Sequence, residues 1–243
     1  MPAYFISDVH LGLNSRQQEK EKEDQLLAFL RSIRDTAERL IIVGDLFDFW
    51  FEYGTVIPKG FHRTLAALQE FTDRSIPVDF LAGNHDFWMG DFFPTELGVQ
   101  IHFDPFLMNI GGRRVYLHHG DGLAQKDLGY RLIKPVLRNR LAIWLYRWIH
   151  PDLGVRLAQG TSRTSREYTS TKDYGEQEGM IAFAAERIRE GADIVVMGHR
   201  HRPIRLEISG GVYVNLGDWI THHSYAVLDK GAISLRTWDE TQE

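Results

Sequence analysis

The sequence contains no cysteine among its 243 residues, which excludes disulfide bonds and thiolate metal sites. A chain without disulfides is compatible with a reducing compartment. It does contain eleven histidines, so any metal site has to be built from imidazole, carboxylate and amide ligands.

Long apolar segments are also missing. No uncharged stretch reaches the roughly 20 residues that a transmembrane helix requires. Residues 1–6 lack the basic start and the apolar centre of a signal peptide. The net charge of −5 gives no reason to expect a nucleic-acid partner, and no feature of the chain indicates an obligate protein partner. We therefore expect a cytoplasmic protein that at most rests on a membrane surface.

Short apolar segments alternate with amphipathic ones, and hydrophobic residues make up 43% of the chain, ample for a buried core. Strands are predicted at 4–7, 40–43, 77–82, 101–103, 106–110, 113–117, 193–197, 205–209, 211–216 and 224–238, the last broken at Lys230-Gly231. Helices are predicted at 20–38, 61–72 and 91–97. Strands that alternate with helices and then give way to hairpins predict an α/β sandwich of two sheets, folded as a single domain over 1–243.

Polar residues of one chemical class follow the ends of five apolar segments, and Asp45 is the central case. It comes directly after strand 40–43 and Gly44, at the place where open α/β sheets bind their ligands. Gly44 allows the backbone to turn there without a Cβ clash. Taken alone, Asp45 could equally cap a following helix, which is a common role of aspartate.

Two pairs of these residues are separated by two positions, Asp8 with His10 and His199 with His201. This spacing places both side chains on one face of an extended segment. A single Asp or His at a strand end is usually a cap or a solvent-facing residue, but five motifs in this order are hard to obtain by chance. The candidate metal ligands are Asp8, His10, Asp45, Asn84, His119, His199 and His201. Because seven ligands are too many for one ion with an open position, we predict two divalent ions that share Asp45, Mn²⁺ by preference, with Fe²⁺ or Zn²⁺ as alternatives.

Together the five motifs resemble the signature of the calcineurin-like metallophosphoesterases over about residues 4–220. They read Asp8-x-His10, Gly44-Asp45, Gly83-Asn84-His85-Asp86, His119-Gly120 and Gly198-His199-x-His201. The resemblance implies a four-layer α/β/β/α sandwich with a dinuclear metal site that hydrolyses phosphate esters. It also implies one ion on Asp8, His10, Asp45 and His201, and the other on Asp45, Asn84, His119 and His199.

His85 is not a metal ligand in this family pattern. The resemblance implies that His85 lies near the leaving oxygen, where it acts as a general acid or stabilises the transition state. Asp86 would then orient the His85 ring, as carboxylates that contact an imidazole often do.

A longer motif over residues 44–50, Gly-Asp-Leu-Phe-Asp-Phe-Trp, is similar to that of the UDP-2,3-diacylglucosamine diphosphatases of lipid A biosynthesis. Tyr130 and the segment 164–172 add to this similarity, although the well-known members of that family carry Arg where this chain has His85. The resemblance implies hydrolysis of the pyrophosphate of UDP-2,3-diacylglucosamine to UMP and 2,3-diacylglucosamine 1-phosphate, by an enzyme associated peripherally with the cytoplasmic face of the inner membrane. The implied substrate contacts are Asn84, Tyr130, Ser165, Thr169, Lys172 and His199.

Two other classes of protein remain open. One is a metallophosphoesterase that acts on cyclic nucleotides, phosphoproteins or nucleic acid, and nucleic acid fits poorly because the basic residues are local and interleaved with apolar ones. The other is a non-catalytic scaffold of retromer type that retains the fold. Because a scaffold would be expected to have lost metal ligands, the complete ligand set favours an enzyme.

Residues 131–172 differ in charge from the rest of the chain. They contain nine Lys or Arg and two acids, a net of +7, which leaves −12 for the remainder. We predict that residues 131–158, here called the lid segment, form a helical lid over the acyl chains, within an insertion of about 123–172. Its apolar positions with helical spacing are Ile133, Leu137, Leu141, Trp144, Leu145 and Trp148. Arginines among them are typical of helices at an anionic membrane interface, and the alternative is an ordinary helix packed on the core.

Overall fold

The computed structural model describes residues 1–123, 135–136, 138–157 and 176–239. The helices are α1 (Arg16–Ile33), α2 (His62–Thr72), α3 (Phe92–Glu96), α4 (Arg140–Tyr146) and α5 (Glu176–Arg189). The strands are β1 (Ala3–Ile6), β2 (Arg39–Val43), β3 (Val78–Leu81), β4 (Gln100–His102), β5 (Phe106–Ile110), β6 (Arg113–His118), β7 (Ile194–Met197), β8 (Ile204–Ile208), β9 (Gly211–Asn215), β10 (Ser224–Asp229) and β11 (Ala232–Thr237).

These strands form two sheets. The first has the order β11-β10-β1-β2-β3-β4, with β1 to β4 parallel and β10 antiparallel to β1. The second has the order β5-β6-β7-β9-β8, with β6, β7 and β9 parallel and the two edge strands antiparallel. In each sheet the parallel strands therefore end at one edge, where the loops that follow them are brought together.

The core between the sheets explains why β2 is a continuous apolar run. Ile41 and Val43 pack with residues of the second sheet, whereas Leu40 and Ile42 pack against α1 and α2 on the outer face. All four side chains are fully buried. A strand buried on both faces requires apolar residues at every position, which is the pattern from which this strand was predicted.

The outer face of the second sheet is covered by α5. Met180, Ala184 and Ile188 of this helix pack with Val195 and Met197 of β7. With α1, α2 and α3 on the other side, the order of layers is α/β/β/α. The predicted four-layer sandwich is confirmed.

The boundaries of α1 differ from the prediction of 20–38. The helix begins at Arg16 because Ser15 precedes it as a cap, with the Gln18 side chain accepting hydrogen bonds from the Ser15 amide (3.4 Å) and hydroxyl (2.8 Å). The helix ends at Ile33. Ala37, which the prediction placed inside the helix, comes after its end, and its amide donates to the Ile33 carbonyl at 2.9 Å. Ala37 packs on the same core as α1, which accounts for its apparent helical spacing.

Part of the lid segment is described, and it is not one continuous helix. α4 ends at Tyr146, a turn follows, and a second helical stretch covers 151–157. The break precedes Pro151, since the residue before a proline disfavours helical backbone, whereas proline itself suits a first helical position. Tyr146 joins α4 to the body of the protein, with its ring 4.7 Å from that of Phe51 and 5.0 Å from that of Trp88.

Candidate metal centre

Five of the predicted ligands lie just beyond the ends of β1, β2 and β7, and all five have left-handed backbone. The φ angle is 54° at Asp8, 48° at His10, 55° at Asp45, 72° at His199 and 53° at His201. Non-glycine residues with positive φ are strained by about 1–3 kcal/mol each and are concentrated at functional sites. The expectation that each pair shares one face of an extended strand is therefore wrong, because the ligands sit in loops.

Hydrogen bonds hold these loops in place. The Asp8 amide donates to the Gly44 carbonyl at 3.1 Å, and the His10 amide donates to the Asp45 carbonyl at 3.0 Å. From α1, the ammonium group of Lys22 donates to the His10 carbonyl at 2.6 Å. The loops after β1 and β2 are thus fixed against each other, and this bonding offsets the backbone strain.

Two glycines permit the close approach of the ligands. Gly44 has a φ of 84°, and a Cβ atom there would lie 2.3 Å from His119 Nδ1. At Gly198 a Cβ atom would lie 2.4 Å from the Asp8 carboxylate. Any side chain at either position would displace a ligand, which explains why a glycine precedes Asp45 and His199.

Asp8, His10 and His201 form the first ligand cluster. Nε2 of His201 lies 3.3 Å from Asp8 Oδ1 and 3.2 Å from His10 Nε2, and His10 Nε2 lies 3.8 Å from the same carboxylate oxygen. One oxygen and two nitrogens thus converge on a common point, which suits a single cation.

Asp45, His119 and His199 form the second cluster, with Asn84 beside it. His119 Nε2 lies 3.2 Å from Asp45 Oδ2 and 3.0 Å from Asn84 Oδ1. His119 Nδ1 donates to the Val43 carbonyl at 2.8 Å, which directs Nε2 towards the other ligand atoms. His199 therefore belongs to a different cluster from His201, so these two residues do not form the ligand pair that their spacing suggested.

Asp45 lies between the two clusters. Its Oδ2 atom is 3.7 Å from His10 Nε2 in the first cluster and 3.2 Å from His119 Nε2 in the second. The carboxylate is buried, and its other oxygen accepts a hydrogen bond of 2.9 Å from the His85 amide. This position supports the prediction that Asp45 bridges two ions.

The hydrogen bonding of Asp8 and the pKa values of two histidines favour the binding of cations at this site. Asp8 Oδ1 is buried and accepts no well-oriented hydrogen bond among the residues described. Burial alone would lower the pKa of His10, but the carboxylates of Asp48 and Asp8 raise it to about 9. Burial likewise opposes the charging of His119, but Asp45 raises the pKa of that ring to about 10. The buried carboxylates thus favour positive charge at both rings, as a site for divalent ions should.

These pKa values predict that divalent ions bind more strongly as the pH rises. Below about pH 9, His10 and His119 of the metal-free protein each carry a proton, which an incoming ion has to displace. Each displaced proton should raise the apparent affinity about tenfold per pH unit between about pH 6 and pH 8. Calorimetric titrations in two buffers of different protonation enthalpy will count the protons released. An affinity that does not change with pH would contradict the assignment of these rings as ligands.

Sequence reasoning missed Asp48 as a member of the site. Asp48 Oδ1 lies 3.6 Å from His10 Nδ1 and 3.7 Å from His85 Nδ1, so the three residues form a further cluster. The His85 ring lies edge-on to that of His10, with centroids 4.7 Å apart. The only sequence signal is that Asp48 comes three residues after Asp45 in the motif of residues 44–50.

Asp86 does not make the expected contact with the His85 ring. Its buried carboxylate accepts hydrogen bonds of 2.8 Å from the amides of Leu46 and Gly83, and so ties together the loops after β2 and β3. Burial and the charge of Asp45 raise the pKa of Asp86 to about 7. The His85 ring is held instead by Asp48, whose carbonyl oxygen lies 3.0 Å from His85 Nδ1.

Four further residues were predicted to contact the substrate. Tyr130, Ser165, Thr169 and Lys172 lie outside the described residues.

A family profile described as calcineurin-like phosphoesterase matches residues 1–203. The chain belongs to this family. The phosphoesterase is therefore a hydrolase, and membership of this family implies that it uses divalent metal ions. Its clusters of His and Asp side chains are the groups suited to bind them.

Two curated relatives match the phosphoesterase over nearly its whole length. The UDP-2,3-diacylglucosamine hydrolase of Porphyromonas gingivalis is 35% identical, with 98% of each chain covered. That of Edwardsiella ictaluri is 31% identical, covering 97% of this chain and 91% of the relative. Among solved structures, an archaeal phosphodiesterase is 14% identical with a TM-score of 0.49, covering 98% of this chain and 100% of that one.

Proposed function

We propose that the phosphoesterase hydrolyses the pyrophosphate bond of UDP-2,3-diacylglucosamine to UMP and 2,3-diacylglucosamine 1-phosphate, in lipid A biosynthesis. The observation that carries the chemistry is the pair of ligand clusters on either side of Asp45. The choice of substrate is supported by the relatives named UDP-2,3-diacylglucosamine hydrolase, which match the phosphoesterase over at least 97% of its length.

Two divalent ions would occupy these clusters, and Mn²⁺ is our first choice because the ligands mix imidazole with oxygen donors. One would be held by Asp8, His10, Asp45 and His201, and the other by Asp45, Asn84, His119 and His199. When bound, such ions act as Lewis acids on phosphoryl oxygens and lower the pKa of water. Asn84 and His199 would also contact the phosphate.

His85 is the residue that we assign to proton transfer. A backbone carbonyl only accepts hydrogen bonds, so the 3.0 Å contact with Asp48 fixes the proton of the neutral ring on Nδ1. To act as an acid, the ring would have to carry a second proton, on Nε2, which it would give to the departing oxygen of UMP or of the sugar phosphate. Burial, together with the nearby His10, lowers the pKa of His85, although the charge of Asp45 opposes this shift. The ring is therefore mainly neutral at pH 7, and the form protonated on both nitrogens, which alone could act as the acid, is the minority form.

The lid segment would supply the apolar surface that a diacylated substrate needs. Leu141, Trp144, Leu145 and Trp148 are 53–76% exposed, which supports a lid over the alternative of an ordinary helix packed on the core. Each CH₂ group of an acyl chain that leaves water contributes about 0.8 kcal/mol, which makes such a surface effective for binding lipid. No helix in the described ranges has the length and apolar character to cross a bilayer. The exposed apolar residues of the lid segment lead us to propose peripheral contact with the inner membrane.

The lid proposal predicts a selective loss of activity on lipid. The double variant Leu141→Glu with Trp144→Glu should lower kcat/KM for the diacylated substrate at least tenfold, because two carboxylates would face the acyl chains. Activity on a deacylated analogue should change little, since the metal clusters are untouched. Equal losses on both substrates, with a lower melting temperature, would show that these residues support the fold instead.

The function itself is tested by the release of UMP. Purified protein with Mn²⁺ is offered UDP-2,3-diacylglucosamine beside a generic phosphodiester, and we expect UMP from the first at a much higher kcat/KM. Faster hydrolysis of the generic diester would indicate a metallophosphoesterase with another substrate. Metal binding without turnover of either compound would indicate a non-catalytic scaffold.

A further inference from the structure

The loop between β9 and β10 packs against the first ligand cluster, although no sequence motif marks it. The Trp219 amide donates to the Asp8 carbonyl at 3.1 Å. The Trp219 side chain is fully buried and lies 4.9 Å from the Phe29 ring of α1. The loop is therefore anchored both to a predicted metal ligand and to the core.

Asp218 is the polar centre of this loop and is only 3% exposed. Its Oδ1 atom accepts hydrogen bonds from the amides of Ile220 (3.0 Å), Thr221 (2.7 Å) and His222 (3.0 Å). Its Oδ2 atom faces two imidazoles, with His222 Nδ1 at 3.1 Å and His201 Nδ1 at 3.9 Å. The two oxygens thus have separate surroundings, one among backbone amides and one between histidine rings.

The His201 ring lies between this carboxylate and the first ligand cluster. On one side its Nε2 atom is 3.3 Å from Asp8 Oδ1 and 3.2 Å from His10 Nε2. On the other side its Nδ1 atom faces Asp218. A carboxylate behind a metal-binding imidazole fixes the tautomer and the ring orientation, and makes the ring a stronger ligand.

We propose that Asp218 is a positioning residue that holds the Nδ1–H of His201 and thereby directs Nε2 towards the ion of the first cluster. At 3.9 Å the contact is a charge interaction rather than a hydrogen bond, and it strengthens when an ion on Nε2 makes the Nδ1 proton more acidic. The proposal rests on the two-ion assignment under the proposed function and does not depend on the identity of the substrate.

The charge of Asp218 agrees with this role. Burial opposes its ionisation, but the amides of Thr221 and His222 and the His222 ring hold the pKa of Asp218 below its usual range. The carboxylate is therefore ionised at neutral pH, as required of a group that attracts an imidazole N–H.

The rival explanation is that Asp218 only stabilises its loop, and the separation of its two oxygens allows the two roles to be tested. In Asp218→Asn, the amide oxygen can still accept the three backbone amides, while an NH₂ group replaces Oδ2 and faces His201 with the wrong polarity. In Asp218→Ser, the hydroxyl can accept one of these amides but cannot reach His201. His222→Ala is the matched control, because it removes the other imidazole partner of Oδ2 and leaves His201 in place.

The experiment measures Mn²⁺ binding to the metal-free protein by calorimetry, together with the melting temperature of that metal-free protein. We expect Asp218→Asn and Asp218→Ser to lower the affinity for one of the two Mn²⁺ ions about 10–100-fold, the range observed when the partner of a metal-binding histidine is lost. The affinity for the second ion should be unchanged, and so should the melting temperature of Asp218→Asn. His222→Ala should bind both ions normally. Unchanged affinity in the Asp218 variants, or equal weakening of both ions with a lower melting temperature, overturns the proposal. Because no substrate is used, a wrong substrate assignment does not affect this result.

Discussion

Replacing Asp45 with alanine should abolish hydrolysis and remove at least one of the two divalent ions. Oδ2 of this residue lies within 4 Å of an imidazole in each cluster, so its loss affects both ions at once. Metal analysis of the purified variant should give at most one ion per chain, where the parent protein gives two.

Asp79 provides a matched control for this experiment. It is as buried as Asp45 but lies within β3, and it is bound by Arg39 and His102. Asp79→Ala should lose stability, because Arg39 and His102 would lose their carboxylate partner, but it should retain two ions per chain. Two ions and near-normal turnover in Asp45→Ala would rule out the bridging role.

Replacing His85 with alanine should lower kcat by about 10²–10⁴, the usual range for a general acid or base, while both ions remain bound. The His85 ring is held by the Asp48 carbonyl and stands beside His10 without joining either of the two proposed ligand sets. Single-turnover rates and metal content measured on the same preparation will separate the two effects.

Two further results would distinguish the possible roles of His85. Loss of metal in His85→Ala would move this residue into the ligand set. His85→Arg introduces a permanent charge that cannot transfer a proton at neutral pH. If the arginine variant retains activity, the residue at this position stabilises charge and does not donate a proton.

The four-layer order was implied by the family resemblance, whereas the α/β sandwich of two sheets could be predicted because buried strands are short apolar runs and the helices have one apolar face. β2 illustrates this, since Ile41 and Val43 face one layer and Leu40 and Ile42 the other. The start of α1 was missed by four residues because the capping interaction of Ser15 with Gln18 lies outside the apolar pattern.

The residues of the two ligand clusters could be predicted, but their geometry could not. Asp8 and His10 come directly after a strand in the sequence, so the alternation of side chains in a strand predicts that they share one face. Both residues instead have left-handed backbone. Asp48 could not be identified from its motif, where its neighbours are aromatic, because it comes beside His10 and His85 only in the folded chain. Asp218 lies in a loop without a motif, and no local pattern connects it with His201.

The contacts of Asp8 also have a consequence for protein synthesis. Its carboxylate accepts a hydrogen bond from the His199 amide across a sequence separation of 191 residues, and its carbonyl accepts one from Trp219. A nascent chain that has not yet emerged beyond residue 219 cannot fix this aspartate, even though β1, β2 and β3 are already available to pair. Long-range contacts of this kind also form late in folding, because the ordering of the intervening chain must come first. Hydrolytic competence should therefore appear only after the chain has emerged beyond residue 219, and ribosome-bound fragments that end before residue 219 should fail to retain both metal ions.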